Sequence, residues 1–292
     1  MHFDGQVAII TGGAQGLGRS YAQLLAAHGA HVVVNDLGTA VDGVGGGSSS
    51  TTAEQVAAAI RESGGQAVSD ASSVADPDGA RAIVDTALKA FGRLDIVINN
   101  AGILISGPFT DVSPDQVRRL FEVHVLGSFL VTQAAWPHLV RAGYGRIVLT
   151  TSGVVNGYAD LSAYSAMKGA TQVLARTLAL EGAPHGIRVN AISPSAWSRM
   201  AMEFRKGVVP PNANDRSPDS VAPVVAYLAH SSCERTGATL VAAGGQVAAK
   251  CSCATGRLSG TDHGVWAFPP RSRPQDGRRR ARATGTRGRS PL

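Results

Sequence analysis

The run Thr11-Gly12-Gly13-Ala14-Gln15-Gly16-Leu17-Gly18 constrains this chain more than any other. It follows an apolar stretch, Val7–Ile10, and opens a helical pattern, Leu17–His28. Strand, glycine turn and helix in that order begin a βαβ unit. Glycine lets the backbone turn tightly and approach a pyrophosphate, whose charge is met by N–H groups at the helix start. With 35 glycines in the chain, a similar run elsewhere would read as an ordinary turn. Its place after the first strand makes it a dinucleotide cradle, with Gly12, Gln15, Gly16, Leu17 and Gly18 as contacts.

Short apolar runs then alternate with helical periodicity as far as residue 249. Strands are expected at Val7–Ile10, His31–Val34, Ala67–Ser69, Ile96–Ile98, Ile147–Thr150, Arg188–Ile192 and Thr239–Ala242. Helices are expected at Leu17–His28, Ala53–Glu62, Pro77–Ala90, Pro114–Ala142, Ser162–Ala183 and Pro218–His230. Strands that are apolar throughout need cover on both faces, which helices packed on a parallel sheet provide. Right-handed crossovers wind residues 1–250 into a single doubly wound α/β domain with about seven parallel strands. Gly38–Thr52, rich in Gly and Ser, reads as a long mobile loop after the second strand.

Residues 251–292 lose this periodicity and fill with Arg, Gly, Pro, Ser and Thr. Such a segment buries too little surface to offset its entropy, so a basic, disordered tail is expected. An RNA-binding arm or an altered reading frame are the sharper alternatives. Charge supports the division: of the net +6, residues 250–292 carry +8 and the first 249 residues carry −2. The basicity therefore says little about the folded part, for which no nucleic-acid partner is expected. No run of about 18 apolar residues appears, so no membrane partner is expected. Cys233, Cys251 and Cys253 offer neither a disulfide framework nor zinc spacing, so no metal is expected. Met1–Gly5 lacks the start of an export signal, and the cytoplasm is the expected compartment.

Asp36 closes the second strand in Val34-Asn35-Asp36-Leu37. A carboxylate there accepts from both ribose hydroxyls of NAD and repels the 2′-phosphate of NADP. Gln15, not Arg, stands between the glycines, so NAD is the expected cofactor. Asn99-Asn100-Ala101-Gly102 follows the fourth strand, and its small residues permit close approach of a ribose, with Asn99, Ala101 and Gly102 as contacts. Tyr164-Ser165-Ala166-Met167-Lys168 places a phenol and an ammonium on one helix face at i and i+4. Phenol, with a reference pKa near 10, is a poor base, and a neighbouring cation favours phenolate. Such a pair on an ordinary helix would mean nothing; after a dinucleotide cradle it is a general acid–base.

TGGAQGLG, NNAG, YSAMK and NAISPSAWSRM together resemble the short-chain dehydrogenase/reductase family over residues 5–249. The segments VNDLG, FGRLDIVINNAGIL, VHVLGSFLVTQAAWPHL, YGRIVLTTS and VAPVVAYLAHSSCE are similar, more narrowly, to the (3R)-hydroxyacyl-CoA dehydrogenase units of type 2 peroxisomal multifunctional enzymes. The resemblance implies a Rossmann fold, an NAD-linked exchange between a secondary alcohol and a ketone, and a homodimer or homotetramer. It also implies a catalytic serine. Counting along the strand from Arg146 gives Ser152, whereas counting back from Tyr164 gives Thr151. Strand register makes Ser152 the first choice. His124 stands where most members have Asn, and is expected to hold a water between Lys168 and solvent or to be a plain core residue. Ser72 replaces a common Asp near the adenine, and Val74 is counted with it. Pro194-Ser195 replaces Pro-Gly, Trp197 shapes the mouth or only packs, and Ser198 is matched to the nicotinamide carboxamide. Lys168 and Tyr164 also belong to the cofactor site. The segment 201–218 reads as part of a lid, where Arg205 and Lys206 meet CoA phosphates or merely sit in solvent. A hydroxyacyl-CoA, a steroid-like ring alcohol and a silent NAD-binding sensor remain the competing readings.

Overall fold

The computed structural model describes residues 1–45, 50–209 and 216–250. The expected tail, residues 251–292, lies outside the described residues. The strands are β1 (Val7–Thr11), β2 (His31–Asn35), β3 (Gln66–Asp70), β4 (Ile96–Asn99), β5 (Gly145–Thr150), β6 (Ile187–Ser195), β7 (Thr239–Ala243) and β8 (Gln246–Ala249). The helices are α1 (Gly16–Ala27), α2 (Ser50–Glu62), α3 (Pro77–Phe91), α4 (Pro114–Phe121), α5 (Gly127–Ala142), α6 (Ser162–Gly182), α7 (Arg199–Phe204) and α8 (Ala222–Ala229).

One sheet runs in the order β3-β2-β1-β4-β5-β6-β7-β8, and every pairing is parallel except the last. All residues of β1, β4 and β5 are buried, as strands covered on both faces must be. Two apolar layers lie on the sheet's faces. One joins α1, α2 and α8 to Ile10, Val34 and Ile98; the other joins α3, α5 and α6 to Ile9, Val97 and Leu149. Alternate residues of one strand thus serve opposite layers. The winding direction reverses between β1 and β4, which leaves a crevice beyond their carboxyl ends.

Local signals set several boundaries. Asp76 caps α3 by accepting from the N–H groups of Asp78 and Gly79, Pro77 fills the first helical position, and Gly92 ends the helix at φ 76°. Ser113 and Gln116 form a reciprocal capping box on α4. Other boundaries depart from the sequence pattern. The expected helix Pro114–Ala142 is interrupted by a π-helical turn, Glu122–Leu126, which carries His124. Helix α2 begins at Ser50, inside the expected loop, because Ala53, Val56, Ala57 and Ile60 are buried in the first apolar layer. Residues 46–49 of that stretch lie outside the described residues. Strand β8 adds an eighth, antiparallel member through Gly244-Gly245, both at positive φ, a dipeptide suited to a tight hairpin. Among the described residues no helix is long and apolar enough to cross a membrane.

Candidate active site

Hydrogen bonds between the ends of β1 and β4 build the floor of the crevice. Thr11 Oγ1 accepts from the N–H groups of Asn100 at 3.0 Å and Ala101 at 3.1 Å. Asn100 Nδ2 donates to the carbonyls of Thr11 and Gly12 at 3.1 and 3.0 Å. The two loops are so close that a Cβ on Gly12 would stand 2.9 Å from Ala101 Cα, and Gly12 has φ +63°. A Cβ on Gly18 would stand 2.0 Å from the Gly12 carbonyl oxygen. Gly18 thus seats α1 against the loop while Gly12, Gln15, Gly16 and Leu17 face the cleft.

The cleft has a volume of about 380 Å³. Ser72, Val74, Ala101, Gly102, Pro194 and Ser198 border it, as do Ser152, Tyr164 and Lys168. Asp36 stands at one end, its carboxylate fixed by the N–H groups of Ala14 at 3.0 Å and Gly38 at 2.8 Å. A carboxylate held by backbone, beside glycines whose Cβ atoms would obstruct the loop, suits a ribose and a pyrophosphate in sequence. The expected contact Asn99 faces elsewhere: it is buried and donates to Thr132 Oγ1 at 2.9 Å, and Asn100 borders the cleft instead. Arg205 and Lys206 do not border the cleft either; Arg205 lies 6.0 Å over the Trp197 ring. Arg199, in the run SRM, does border it, as Lys168 does. Asn100, Arg199 and Met200 are among the cleft residues not expected from the sequence, although all three belong to quoted motifs.

Helix α6 brings Tyr164 and Lys168 to the carboxyl end of β5. The ammonium Nζ lies 5.6 Å from the centroid of the phenol ring and donates to the Thr150 carbonyl at 2.9 Å. Burial pushes the Lys168 pKa down to about 7. Burial pushes Tyr164 above its ordinary value, and interaction with the Ser152 hydroxyl pulls the other way. Desolvation is thus the larger influence on the phenol and Ser152 the one that opposes it. Of the two candidate hydroxyls, Thr151 Oγ1 donates to the Lys168 carbonyl at 2.8 Å, and its N–H donates to Ile192 O. Ser152, one residue on, is half-buried, with its side chain beside Tyr164. Both border the cleft, but only Ser152 interacts with the phenol.

His124 lies behind the cleft wall. Its Nε2 is 2.8 Å from Ile103 O and 3.2 Å from Ile103 N, and its ring meets Tyr164 edge-to-face at 5.3 Å. Burial first, and the Lys168 charge second, hold its pKa well below the usual value. Its Nδ1 is buried with no hydrogen-bond partner. A Cβ on Gly102 would come 2.6 Å from the ring, so glycine there is what lets the imidazole approach.

The family model described as short chain dehydrogenase matches residues 6–207. A peroxisomal multifunctional enzyme type 2 of Drosophila melanogaster is 44% identical over 248 residues, covering 84% of this chain and 40% of that protein. The chain thus spans well under half of that relative. Among solved structures, a short chain dehydrogenase from Mycobacterium avium superposes with TM-score 0.76 at 35% identity, covering 92% of each chain. A 7α-hydroxysteroid dehydrogenase complexed with NADH and 7-oxo glycochenodeoxycholic acid superposes with TM-score 0.73 at 28% identity, covering 84% of this chain and 95% of that one.

Proposed function

The chain belongs to the short-chain dehydrogenase family, and we propose that it interconverts a secondary alcohol and its ketone with NAD, a (3R)-hydroxyacyl-CoA being the first substrate to try. The observation that carries this reading is the convergence of Ser152, Tyr164 and Lys168 in one cleft with the glycine loop and Asp36. The identity to the multifunctional enzyme favours the acyl-CoA. The fixed carboxylate of Asp36 favours NAD over NADP, and Ser72, Val74 and Ser198 complete the cofactor wall.

In this mechanism the nicotinamide supplies hydride exchange when bound. Tyr164 takes the hydroxyl proton of the alcohol or returns it to the ketone. Ser152 donates to the same substrate oxygen and steadies developing charge. Lys168, anchored on the Thr150 carbonyl, holds the ribose beside the phenol. His124 Nδ1 takes the water that passes the proton outward. Burial keeps the phenol protonated at neutral pH, so alcohol oxidation gains from alkaline pH more than ketone reduction does.

NADH formation from NAD⁺ and a (3R)-hydroxyacyl-CoA, beside a Tyr164→Phe control, tests this. Turnover lost in the control with NADH binding retained is the expected result; turnover retained in the control would overturn the assignment. NADH binding without turnover across alcohols and ketones would favour the silent sensor. A ring alcohol is the second substrate class, favoured by the likeness to the hydroxysteroid dehydrogenase. The proposed assembly is a homodimer or homotetramer, without nucleic acid, in the cytoplasm. Cell fractionation checks the compartment, since the peroxisomal names belong to relatives.

A further inference from the structure

Helix α7 has six residues and none of them is buried, yet Arg199, Met200, Ala201 and Phe204 all border the cleft. Side chains, not sheet hydrogen bonds, keep it there. The Tyr164 hydroxyl donates to Met200 Sδ at 3.7 Å. Phe204 meets Tyr158, on the turn between β5 and α6, edge-to-face with centroids 5.4 Å apart. Lys206 and Gly207, at φ 50° and 77°, turn the chain just beyond the helix.

A substrate oxygen that exchanges a proton with Tyr164 must come within about 2.6–3.2 Å of the phenol oxygen. The Met200 sulfur already faces that oxygen, as a weak acceptor that a carbonyl or alcohol would outcompete. Methionine is unbranched and turns easily, so it can withdraw without unfolding the helix. It packs in one apolar cluster with Leu104, Leu161, Met167 and Phe204.

We propose that Met200 determines substrate specificity in this cleft: its thioether stands where the substrate oxygen must go, the substrate enters by turning it aside, and the displaced side chain then packs against the group flanking the carbinol carbon. The inference rests on the Tyr164 reading. A single flexible chain slides past a methionine that stays in the cleft, whereas a fused ring needs the volume the methionine keeps. Met200 therefore selects an unbranched apolar chain over a ring.

The test uses the full chain, Met200→Ala and Met200→Leu, each titrated as its NADH complex with a long straight-chain ketone and with a decalone, read by NADH fluorescence. Reduction rates for the same ketones follow. Removing the methionine side chain beyond Cβ is expected to raise the decalone-to-chain ratio of affinities, and of kcat/KM, about tenfold or more. Met200→Leu, close in volume, keeps the ratio near that of the unaltered chain. A role limited to holding α7 in place would weaken both ketones alike, and an unchanged ratio in Met200→Ala overturns the proposal. Failure of every protein to bind either ketone overturns it as well. A shifted binding ratio without turnover in any protein would sustain the role of Met200 while sinking the catalytic reading of Tyr164.

Discussion

Lys168 gives up its proton at about 7 in the folded protein, but in the unfolded chain holds it to near 10.4. Between those values the unfolded chain binds more protons, so stability rises with pH across that window. Urea midpoints are expected to climb from about pH 7 toward pH 10, and the climb to flatten in Lys168→Met. An equal slope in both proteins would contradict the buried, neutral lysine. The two adjacent hydroxyls should separate by the kind of damage their loss causes. Ser152→Ala is expected to lower turnover by about 10²–10³-fold with stability nearly unchanged. Thr151→Ala removes one of the two hydroxyls that donate to the buried Lys168 carbonyl, Thr171 Oγ1 keeping the other bond at 2.9 Å, and is expected to cost about 0.5–1.5 kcal/mol in urea unfolding, with most activity kept. The reverse pattern would move the active hydroxyl to Thr151. At Gly18 a methyl group would meet backbone 2.0 Å away, which cannot yield as a flexible side chain does. Gly18→Ala should therefore shift α1 and weaken NADH binding strongly, as a fluorescence titration would show.

Between elements, Asp95 is the tie that sets β4 against β1. Its buried carboxylate accepts from the Val7 N–H at 2.8 Å and from Arg93 Nη2 at 2.7 Å, and the Asp95 carbonyl accepts from Arg146 N on β5. Asp95→Ala leaves the Val7 N–H unpaired in a dry place, while the exposed Arg93 guanidinium keeps its water, and is expected to cost about 1–3 kcal/mol in urea unfolding. A loss below about 1 kcal/mol would mean that water reaches the site. The π-helical turn is a second decision taken by packing. One extra residue there aims His124 at Ile103 and Tyr164, while Ser128 Oγ satisfies the His124 carbonyl at 2.7 Å. Nothing in the periodicity of Pro114–Ala142 marks that break, because a π turn shifts the helical phase without changing which residues are apolar. By contrast, the caps on α3 and α4 are legible in Asp76-Pro77 and Ser113-Pro114-Asp115-Gln116, since capping acts within four residues.

For the whole molecule, α5 and α6 leave an apolar groove between Phe129, Trp136, Pro137, Val140 and Leu178. Phe129 is 44% exposed, a large aromatic surface to leave in water. This supports the proposed oligomer, and Phe129→Asp is expected to yield a monomer by sedimentation at micromolar concentration. A monomeric unaltered chain would end the proposal. The alternation of strands and helices, the glycine cradle, Asp36 at a strand end and the Tyr164–Lys168 pair were all readable in the chain, because each rests on periods or spacings of a few residues. The carbonyl that holds Thr151, the turning away of Asn99, the thioether of Met200 against Tyr164 and the partners of His124 were not. Those depend on which residues, 17 to 36 positions apart or more, the strand register and helix packing bring within bonding distance. The sequence therefore determined the fold and the chemical groups available to it, and tertiary structure alone decided which of those groups face one another, since side-chain contacts across a sheet follow from register and not from local pattern.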